Sequence, residues 1–539
     1  MKTKPLLLSA LFLVSAATAA DHFDIVRNLD IFASLFKEVN AYYVDAIQPK
    51  ELIEKGIKGM LAHTDPYTSY ISEENEDSFS IQTTGRYAGV GALVGGSDKK
   101  TVIVSLYAGF PAYEAGIRVG DELATIDGKN IDPQHADASV MLRGLANTRV
   151  TVQVKRPGQK ELLTFHIMRR NITIPNISYQ TLLDNNVAYI KLDDFMPGAG
   201  KELKNSLQYL KGLGANSLIL DLRENPGGSL YEAINVANVF LPQSKKITST
   251  KGKTKEWSKD YFTLDAPADV KMPIVVLTAK STASASEIVA GALQDYDRAL
   301  LLGQRTFGKG LVQTTRQLPY HAQLKITSAR YYIPSGRCIQ AMRYTQDGKP
   351  TYTPDSLRKT FKTTAGRQVR DGGGIEPDVV TEEKKVSPLS KHLLASGEVF
   401  SYAAFYCAQH AKPSSQKNFS LSDDDYNKFA QTLSKKKWSF VSSFEKEADR
   451  LMASLKEQVG YESMSPLLND LKNSIRQNQN RELMQHKEEI KPLLEEEIAF
   501  HYDLIKGRVE QELSRDQELK EAAKLLADAS RYQQLLRPR

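Results

Sequence analysis

The 539-residue chain lacks the features that mark several common protein classes. It contains only two cysteines, Cys338 and Cys407, and neither lies in a CxxC or CxxH cluster, which argues against a disulfide scaffold and a cysteine-rich zinc site. Its nine histidines form no HExxH motif, which argues against a zincin-type metalloprotease. The net charge of +7 is small for this length, so nucleic-acid binding is not indicated.

The first twenty residues have the pattern of a secretory signal. Lys2 and Lys4 form a positive end, Pro5–Val14 is a short apolar run, and residues 16–20 offer small side chains for cleavage. The apolar run is about half the length that a membrane span needs, so an uncleaved anchor is the weaker alternative. No cysteine follows at which a lipid could be attached. We expect an exported, periplasmic protein with no membrane span after leader cleavage.

Composition and periodicity divide the rest of the chain into four parts. Apolar residues recur at helical spacing in the first and last parts, glycines and β-rich runs are dense in the second, and strand and helix patterns alternate in the third. These patterns predict a multidomain α/β protein. Its parts are a helical N-terminal region (21–82), a small β-rich domain (83–170), an α/β core (175–382) and a long α-helical C-terminal region (386–539).

The third part is predicted to contain a largely buried sheet covered by helices. Its apolar runs predict strands at Val187–Leu192, Ser217–Leu222, Ile274–Thr278 and Ala299–Leu302, and its helical periods predict helices at Lys201–Leu213, Leu230–Phe240 and Ala285–Leu293. In the last part, amphipathic helices are expected. There the charged run Glu495–Glu497 is expected to lie on a solvated face.

A glycine-rich segment in the second part is a candidate peptide-binding loop. Gly89, Val90, Gly91 and Ala92 lie between two short β-rich runs. A Gly-X-Gly turn with exposed N–H groups can bind an anion, and beside a strand edge it suits the terminal carboxylate of a peptide that adds as an extra strand. Most such glycines only form turns, so the segment alone leaves both interpretations open.

A serine at a predicted strand-to-helix junction is a candidate nucleophile. Ser284 lies in the segment Thr282–Glu287, which follows the strand Ile274–Thr278 and opens a helix. The N–H groups at a helix N-terminus favour the negative charge that develops in acyl transfer. Serine is also among the commonest N-cap residues, so helix capping is the alternative.

A lysine between two glycines is the candidate base, because the histidines offer no convincing one. His63 and His166 lie in the helical and β-rich parts, and His321, in the α/β core, has no carboxylate motif beside it. For Lys309 to accept a proton near neutral pH, its pKa must fall from about 10.4 to about 7–8. Burial among apolar groups can lower a lysine pKa by that much. Gly308 and Gly310 allow close backbone approach, and Phe307 and Leu311 can supply an apolar wall. The alternative is an exposed turn lysine.

Taken together and in order, the motifs closely resemble the carboxyl-terminal processing proteases, also called tail-specific proteases. These are serine peptidases with a Ser–Lys dyad and a PDZ domain. The resemblance covers about residues 30–380 in the family's order. The stretches that carry it are Asp65–Thr68, a PDZ string within Gly89–Gly128, Asp221–Gly228, Thr282–Asp295, Phe307–Gly310, Tyr332–Arg337 and Gly374–Asp378.

The resemblance implies a role for several residues. The family's nucleophile precedes its lysine by 25 positions, which selects Ser284 and not Ser286. Lys309 is then the general base. Gln313, one helical step beyond it, matches a glutamine that orients the lysine amine. Glu287 matches an acidic position with a structural or orienting role.

The resemblance also implies how the oxyanion is bound. The backbone N–H of Ala285 and that of Gly228 or Gly227, with Gly228 favoured, would form the oxyanion hole. Asp221 and Arg223 are expected to shape that loop. The implied fold is a PDZ domain and a protease core with a crotonase-like βαβ sheet, and no metal or organic cofactor is implied. The helical tail fits either a homo-oligomer contact, a substrate cage or a structural appendix.

We therefore expect an exported serine endopeptidase that binds the C-terminal tails of protein or peptide substrates and cleaves them through an acyl-enzyme. One alternative is a PDZ-bearing periplasmic adaptor or chaperone without turnover, against which the intact Ser284–Lys309 pair argues. Another is a small-molecule hydrolase on a related α/β core. The PDZ string, which suits peptide ends, argues against that. No nucleic-acid partner is expected.

Overall fold

The computed structural model forms two compact units. The first comprises Met1–Glu76, Gln313–Ser328 and Arg343–Thr351, and the second comprises Asp77–Val312, Ala329–Met342 and Tyr352–Arg539. No helix among the described residues is long and apolar enough to cross a bilayer. The described residues are 6–97, 100–132, 138–345, 349–383, 385–415, 417, 419–435, 440, 443–456, 461–477 and 479–538.

The N-terminal part is mainly helical, as its periodicity predicts. Lys2, Lys4 and Pro5 of the leader lie outside the described residues. The helical pattern ends where the Asp65 carboxylate accepts the backbone N–H groups of Tyr67 (2.8 Å) and Thr68 (3.0 Å), which forms a turn. A short strand follows that turn. The elements are α1 (Leu6–Tyr42), α2 (Pro49–Leu61), β1 (Ser69–Ile71) and α3 (Glu73–Thr84).

The glycine-rich part folds into an antiparallel sheet with strand order β3-β4-β5-β7-β8, in which β6 pairs with β5. Ile103, Val150 and Val152 are fully buried in its core. Strand β3 lies at the edge of this sheet, and no described strand pairs with its outer side. The elements are β2 (Arg86–Gly89), β3 (Ala92–Ser97), β4 (Lys100–Leu106), α4 (Pro111–Glu114), β5 (Glu122–Ile126), β6 (Lys129–Asn130), α5 (Ala138–Leu142), β7 (Arg149–Lys155), β8 (Leu162–Met168) and β9 (Arg170–Thr173).

The third part contains a six-stranded sheet with order β10-β11-β12-β15-β16-β23, parallel except for the antiparallel β10–β11 pair. Its elements are β10 (Ile177–Leu183), β11 (Val187–Leu192), α6 (Ala199–Gly212), β12 (Ser217–Asp221), α7 (Leu230–Asn238), β13 (Lys246–Gly252), β14 (Lys259–Phe262), β15 (Ile274–Thr278), α8 (Ala285–Asp295), β16 (Leu300–Gly303), β17 (Leu311–Gln317), β18 (Gln323–Tyr332), β19 (Met342–Tyr344), β20 (Pro350–Tyr352), β21 (Thr360–Lys362), β22 (Gln368–Arg370) and β23 (Val379–Val380).

Both faces of this sheet are covered. Strands β11, β12 and β15 are buried at every residue, as expected of a parallel sheet between two layers. Helices α6, α7 and α8 pack on one face, and the predicted βαβ core is confirmed. Apolar residues near the C-terminus, including Leu519 and Leu525, cover the other face.

A second, antiparallel group of strands was not predicted. Strand β13 pairs with β14 and with the C-terminal part of β18, where Ser249 lies opposite Tyr332. In the first unit, β1 pairs with the N-terminal part of β18 through Ser69 and Lys325. These strands are rich in lysine and threonine and only partly buried, so they lack the apolar runs that revealed the parallel sheet.

The C-terminal part is helical, as predicted, but Glu495 does not lie on a solvated face. Glu495 is buried, and its charge is compensated because Arg515 pairs with it and the Leu421 N–H donates to it at 2.7 Å. Both cysteines of the chain are free thiols. The helices are α9 (Pro388–Ala395), α10 (Glu398–Gln409), α11 (Asp423–Lys435), α12 (Ser443–Leu455), α13 (Tyr461–Gln477), α14 (Gln479–Gln485), α15 (Lys487–Arg515), α16 (Gln517–Ala527) and α17 (Ala529–Leu535).

Candidate active site

Ser284 lies at the junction between β15 and α8 in a strained backbone conformation. Its φ is 56° and its ψ is −116°, which is unusual for a residue with a Cβ and is typical of functional sites. The residue is half-buried, whereas Ser286 is fully buried and its hydroxyl donates to the Asn225 carbonyl at 3.1 Å. Of the two serines, only Ser284 is exposed enough to meet a substrate.

The buried carboxylate of Glu287 joins Ser284 to Lys309. Its Oε2 accepts the backbone N–H of Ser284 at 2.9 Å and the backbone N–H of Lys309 at 2.8 Å. Its Oε1 accepts the Gly308 N–H at 2.8 Å and the Thr306 hydroxyl at 2.5 Å. One carboxylate oxygen therefore holds the two candidate catalytic residues side by side.

The charge state of Glu287 depends on two opposing effects. Burial raises its pKa, while the hydrogen bonds from Thr306, Lys309, Gly308 and Ser284 lower it, and the net direction is upward. All four partners are donors, so the arrangement suits the ionised form, which only accepts hydrogen bonds.

Tyr331 makes a second link between the same two residues, and sequence reasoning missed it. Its hydroxyl contacts the Ser284 carbonyl at 3.1 Å and the Lys309 carbonyl at 2.5 Å. Burial raises the pKa of Tyr331 well above its usual value, so the hydroxyl keeps its proton and remains a donor. The available signal was its position directly before the motif that begins at Tyr332.

The loop around Lys309 needs its glycines. Gly308 has a φ of +85°, and a Cβ there would lie 2.4 Å from the Cβ of Ala341. Lys309 is half-buried, Leu311 is buried and Phe307 is 42% exposed. Of the two apolar residues that flank this loop, only Leu311 is withdrawn from water.

The loop after β12 lies against Ser284. A Cβ at Gly227 would be 2.7 Å from the Ser284 Cβ and 2.8 Å from the Ala285 nitrogen. The Gly227 N–H is already used, because it donates to Asn225 Oδ1 at 2.8 Å. The N–H groups of Gly228 and Ala285 donate to no acceptor among the described contacts. Asp221 and Arg223 pair at the start of this loop, with Nη2 and Oδ2 2.6 Å apart.

Gln313 lies in strand β17, and its Nε2 is 3.2 Å from Thr327 Oγ1. The helical step assumed between Lys309 and Gln313 is therefore wrong, because the chain is extended from Leu311 onward. The predicted role of Gln313 in orienting the lysine amine stays a prediction.

The candidate peptide-binding loop connects β2 to the edge strand β3. Gly91 has a φ of +77°, and a Cβ there would lie 2.6 Å from the Cβ of Phe110, so only glycine fits. The Val90 carbonyl accepts the Ala112 N–H at 2.8 Å, which fixes the turn. Because Ala92 opens a strand whose outer edge is paired with no strand in the described part of the chain, an extended peptide can pair there.

A cavity of about 320 Å³ lies beside this loop. Its lining is largely apolar, and the positive charge in it comes from Arg143. Burial raises the pKa of Tyr87, which also lines the cavity, to about 12. The residues from the β-rich part are Tyr87, Val90, Ala92, Leu93, Ser139, Leu142 and Arg143.

Three protein-family models match the chain in sequence order. A PDZ domain matches residues 102–156, peptidase family S41 matches residues 186–349, and the C-terminal helical domain of a probable PDZ-protease matches residues 389–526. The first match contains much of the antiparallel sheet, the second contains Ser284, Glu287 and Lys309, and the third covers most of the C-terminal helices.

Individual relatives agree with these matches. A carboxy-terminal-processing protease from Bartonella bacilliformis is 34% identical over 348 residues, which cover 63% of this chain and 79% of the relative. A carboxyl-terminal-processing protease from Synechocystis is 34% identical over 310 residues, 56% of this chain and 71% of the relative. Among solved structures, a photosystem II D1 C-terminal processing protease matches 66% of this chain and 87% of its own chain, with 26% identity and a TM-score of 0.35.

Proposed function

The chain belongs to the carboxy-terminal-processing proteases of peptidase family S41, and we propose that it is an exported endopeptidase that recognises C-terminal tails and cleaves through an acyl-enzyme on Ser284. Membership makes it a serine-type peptidase with a PDZ domain. The export, the Ser–Lys dyad and the recognition of tails are the proposed parts.

The observation that carries the dyad is the shared carboxylate oxygen of Glu287. It accepts N–H groups from Ser284 at 2.9 Å and Lys309 at 2.8 Å. A nucleophile and its base must be held together before substrate arrives. A buried carboxylate bonded to both backbones supports that requirement without taking part in the reaction.

The proposed reaction has two halves. The Lys309 amine takes the proton of the Ser284 hydroxyl as Oγ attacks the scissile carbonyl. The N–H groups of Ala285 and Gly228 bind the oxyanion, since Gly227 already donates to a side chain. The protonated lysine then supplies a proton to the leaving amine. In the second half, water attacks the acyl-enzyme and releases the new C-terminus.

The proposed tail site lies in the PDZ domain, which we assign to residues 83–170. The loop Gly89–Ala92 would bind the substrate's terminal carboxylate, and the tail would pair with the edge strand β3. The apolar cavity beside the loop, with Arg143 in its lining, supports a negatively charged terminus that follows an apolar side chain.

The proposed export rests on residues 1–20, whose positive end, short apolar run and small residues are typical of a cleaved signal. The measurement is the mass of the protein recovered from the periplasm of a bacterial host. The expected mature form begins at Asp21, and recovery of the uncleaved chain from the cytoplasm alone would contradict export.

Cleavage of a tailed peptide by three variants tests the dyad. Ser284→Ala and Lys309→Ala should each abolish turnover while circular dichroism stays unchanged. Ser286→Ala is the matched control, because it removes a buried hydroxyl two residues away and should retain most activity. Turnover by Ser284→Ala at the wild-type rate, with none by Ser286→Ala, would assign the nucleophile to the other serine.

Tail recognition is tested by amidating the substrate's C-terminus. The amide removes a charge and a strong acceptor, and hydrogen bonds to charged groups contribute about 1.5–3 kcal/mol, so binding should weaken about ten- to hundredfold. Equal cleavage of the acid and the amide would leave a peptidase that does not recognise tails.

A further inference from the structure

Two carboxylates of the C-terminal helices contact an arginine that begins the loop beside the nucleophile. Arg223 Nη2 donates to Asp516 Oδ2 at 2.6 Å, and Nη1 donates to Glu518 Oε2 at 2.9 Å. The side chains of Arg223, Asp516 and Glu518 are 20%, 12% and 17% exposed. Charge-assisted bonds between such sheltered groups have a well-defined geometry. The C-terminal region therefore has a fixed polar contact with this loop.

The same guanidinium also binds the acid that ends strand β12. Asp221 accepts from Arg223 Nε at 3.0 Å and from Nη2 at 2.6 Å, and it accepts the Tyr189 hydroxyl at 2.7 Å. Burial would raise the pKa of Asp221, but Arg223 and Lys191 hold it below its usual value. Arg223 is thus shared between the protease sheet and the C-terminal helices.

Arg223 is followed directly by residues 224–228, here called the oxyanion loop because they include Gly228. Glu224 has a φ of 63°, a left-handed conformation that is costly for a residue with a Cβ. The Asn225 carbonyl accepts the Ala283 N–H at 3.1 Å, which joins the loop to the segment of the nucleophile. A movement of the Arg223 backbone would therefore shift Gly227 and Gly228, which lie only four and five residues further along the chain.

The two C-terminal carboxylates are themselves anchored. Asp516 caps helix α16, because its Oδ1 accepts the Leu519 N–H at 3.0 Å. The second oxygen of Glu518 accepts from the Gln304 amide and the Thr381 hydroxyl. Helix α16 packs its apolar face on the parallel sheet. The acids are therefore held in place independently of the arginine.

We propose that Asp516 and Glu518 are positioning residues of the peptidase, which hold Arg223 and, through it, the oxyanion loop beside Ser284. This inference rests on the proposed function, since it takes Ser284 as the nucleophile. Without these two acids the guanidinium keeps Asp221 as its carboxylate partner and can turn its Nη1 toward solvent. The C-terminal region completes the active site without touching the substrate.

The test uses the full chain with the isosteric double variant Asp516→Asn/Glu518→Gln. Asparagine remains a good N-cap, and glutamine can still accept from Gln304 and Thr381, so docking of the helix is largely kept. We expect kcat for a tailed peptide to fall about ten- to hundredfold with KM unchanged. The affinity for a peptide aldehyde, which forms a tetrahedral adduct with the nucleophile, should weaken by the same factor.

Tyr532→Phe is the matched control for docking alone. The Tyr532 hydroxyl bonds to the backbone N and O of Ile274, each at 3.0 Å, so its removal loosens the same helical region without touching the loop. We expect a lower Tm for this variant and an unchanged kcat. The ratio of the loss of kcat to the loss of Tm is compared between the double variant and Tyr532→Phe. If the two ratios are equal, the acids only dock the helices and the proposal is wrong.

Two further measurements keep the test decisive. If the double variant does not fold, Asp516→Asn and Glu518→Gln are assayed singly, and a wild-type kcat in both overturns the proposal. Ser284→Ala is assayed in parallel. Full turnover by that variant would remove the proposed function, whereas its inactivity together with an unaffected double variant would remove only the positioning role.

Discussion

The exchange Glu287→Gln keeps the size of a buried side chain and halves its capacity to accept hydrogen bonds. The carboxylate accepts three backbone N–H groups, from Ser284, Gly308 and Lys309, and the hydroxyl of Thr306. An amide has one acceptor oxygen, so two of the four donors lose their acceptor whichever way it is turned. At about 1.5–3 kcal/mol for each bond to a charged group, the network around residue 287 weakens by up to about 3–6 kcal/mol, shared among the Ser284, Thr306, Gly308 and Lys309 segments.

Hydrogen exchange of the full chain measures this loss locally. Amide protons that lose their bond to residue 287 should exchange about ten- to hundredfold faster per bond, and kcat should fall at least about tenfold. Glu232→Gln is the matched control, because Glu232 also lies in the first turn of a core helix, α7, and accepts the Gly200 N–H at 3.0 Å. Wild-type protection and kcat in Glu287→Gln would refute the idea that the carboxylate holds the dyad.

Three other substitutions test separate parts of the site and the core. Tyr331→Phe removes the hydroxyl between the carbonyls of Ser284 and Lys309. In steady-state assays kcat should fall about tenfold, the value of about one hydrogen bond, with KM unchanged. An unchanged kcat would contradict this role. Gly227→Ala places a Cβ 2.7 Å from the Ser284 Cβ and should lower kcat/KM about a hundredfold. Gly212→Ala is the control, because a Cβ there would have no neighbouring atom within 4 Å, and its kcat/KM should equal that of the wild type. Asp269→Asn removes a carboxyl whose pKa is lowered to about 2, because the effect of burial is outweighed by the Lys211 bond and others. A carboxyl with a lowered pKa stabilises the fold above about pH 4, and this stability is lost as the pH falls toward about 2. The Tm of the variant should therefore depend less on pH in that range than the Tm of the wild type, and an equal dependence would contradict the prediction.

The parallel sheet could be predicted because its strands are continuous apolar runs. The predicted strands Ser217–Leu222 and Ile274–Thr278 correspond to β12 and β15, which are buried at every residue. Strand β13, with the sequence KITSTKG, has no such run, because lysines and threonines occupy a sheet that is only partly buried. Composition therefore reveals a strand that is buried on both faces and misses one whose stability comes from pairing with its neighbours.

The polar contacts of the site were harder to predict than its residue types. Glu287 was predicted to have a structural or orienting role, but its partners are mainly backbone N–H groups, which no side-chain pattern encodes. Tyr331 was missed because it lies just outside the recognised motif. Glu495 was misassigned to a solvated face because Arg515, its partner, lies 20 residues further along the chain.

The backbones of the two candidate catalytic residues are held by two buried side chains, those of Glu287 and Tyr331. Glu287 binds the N–H groups of Ser284 and Lys309, and Tyr331 contacts the carbonyls of the same two residues. Donor and acceptor are therefore both engaged at each backbone, so the distance between the two residues is set by a buried carboxylate and a buried phenol. Such close backbone packing leaves no room for side chains, since a Cβ at Gly308 would lie 2.4 Å from a neighbouring Cβ. Small residues in the motif around Lys309 allow this close approach, so the positions of the two candidate catalytic residues depend on side chains that need not touch a substrate.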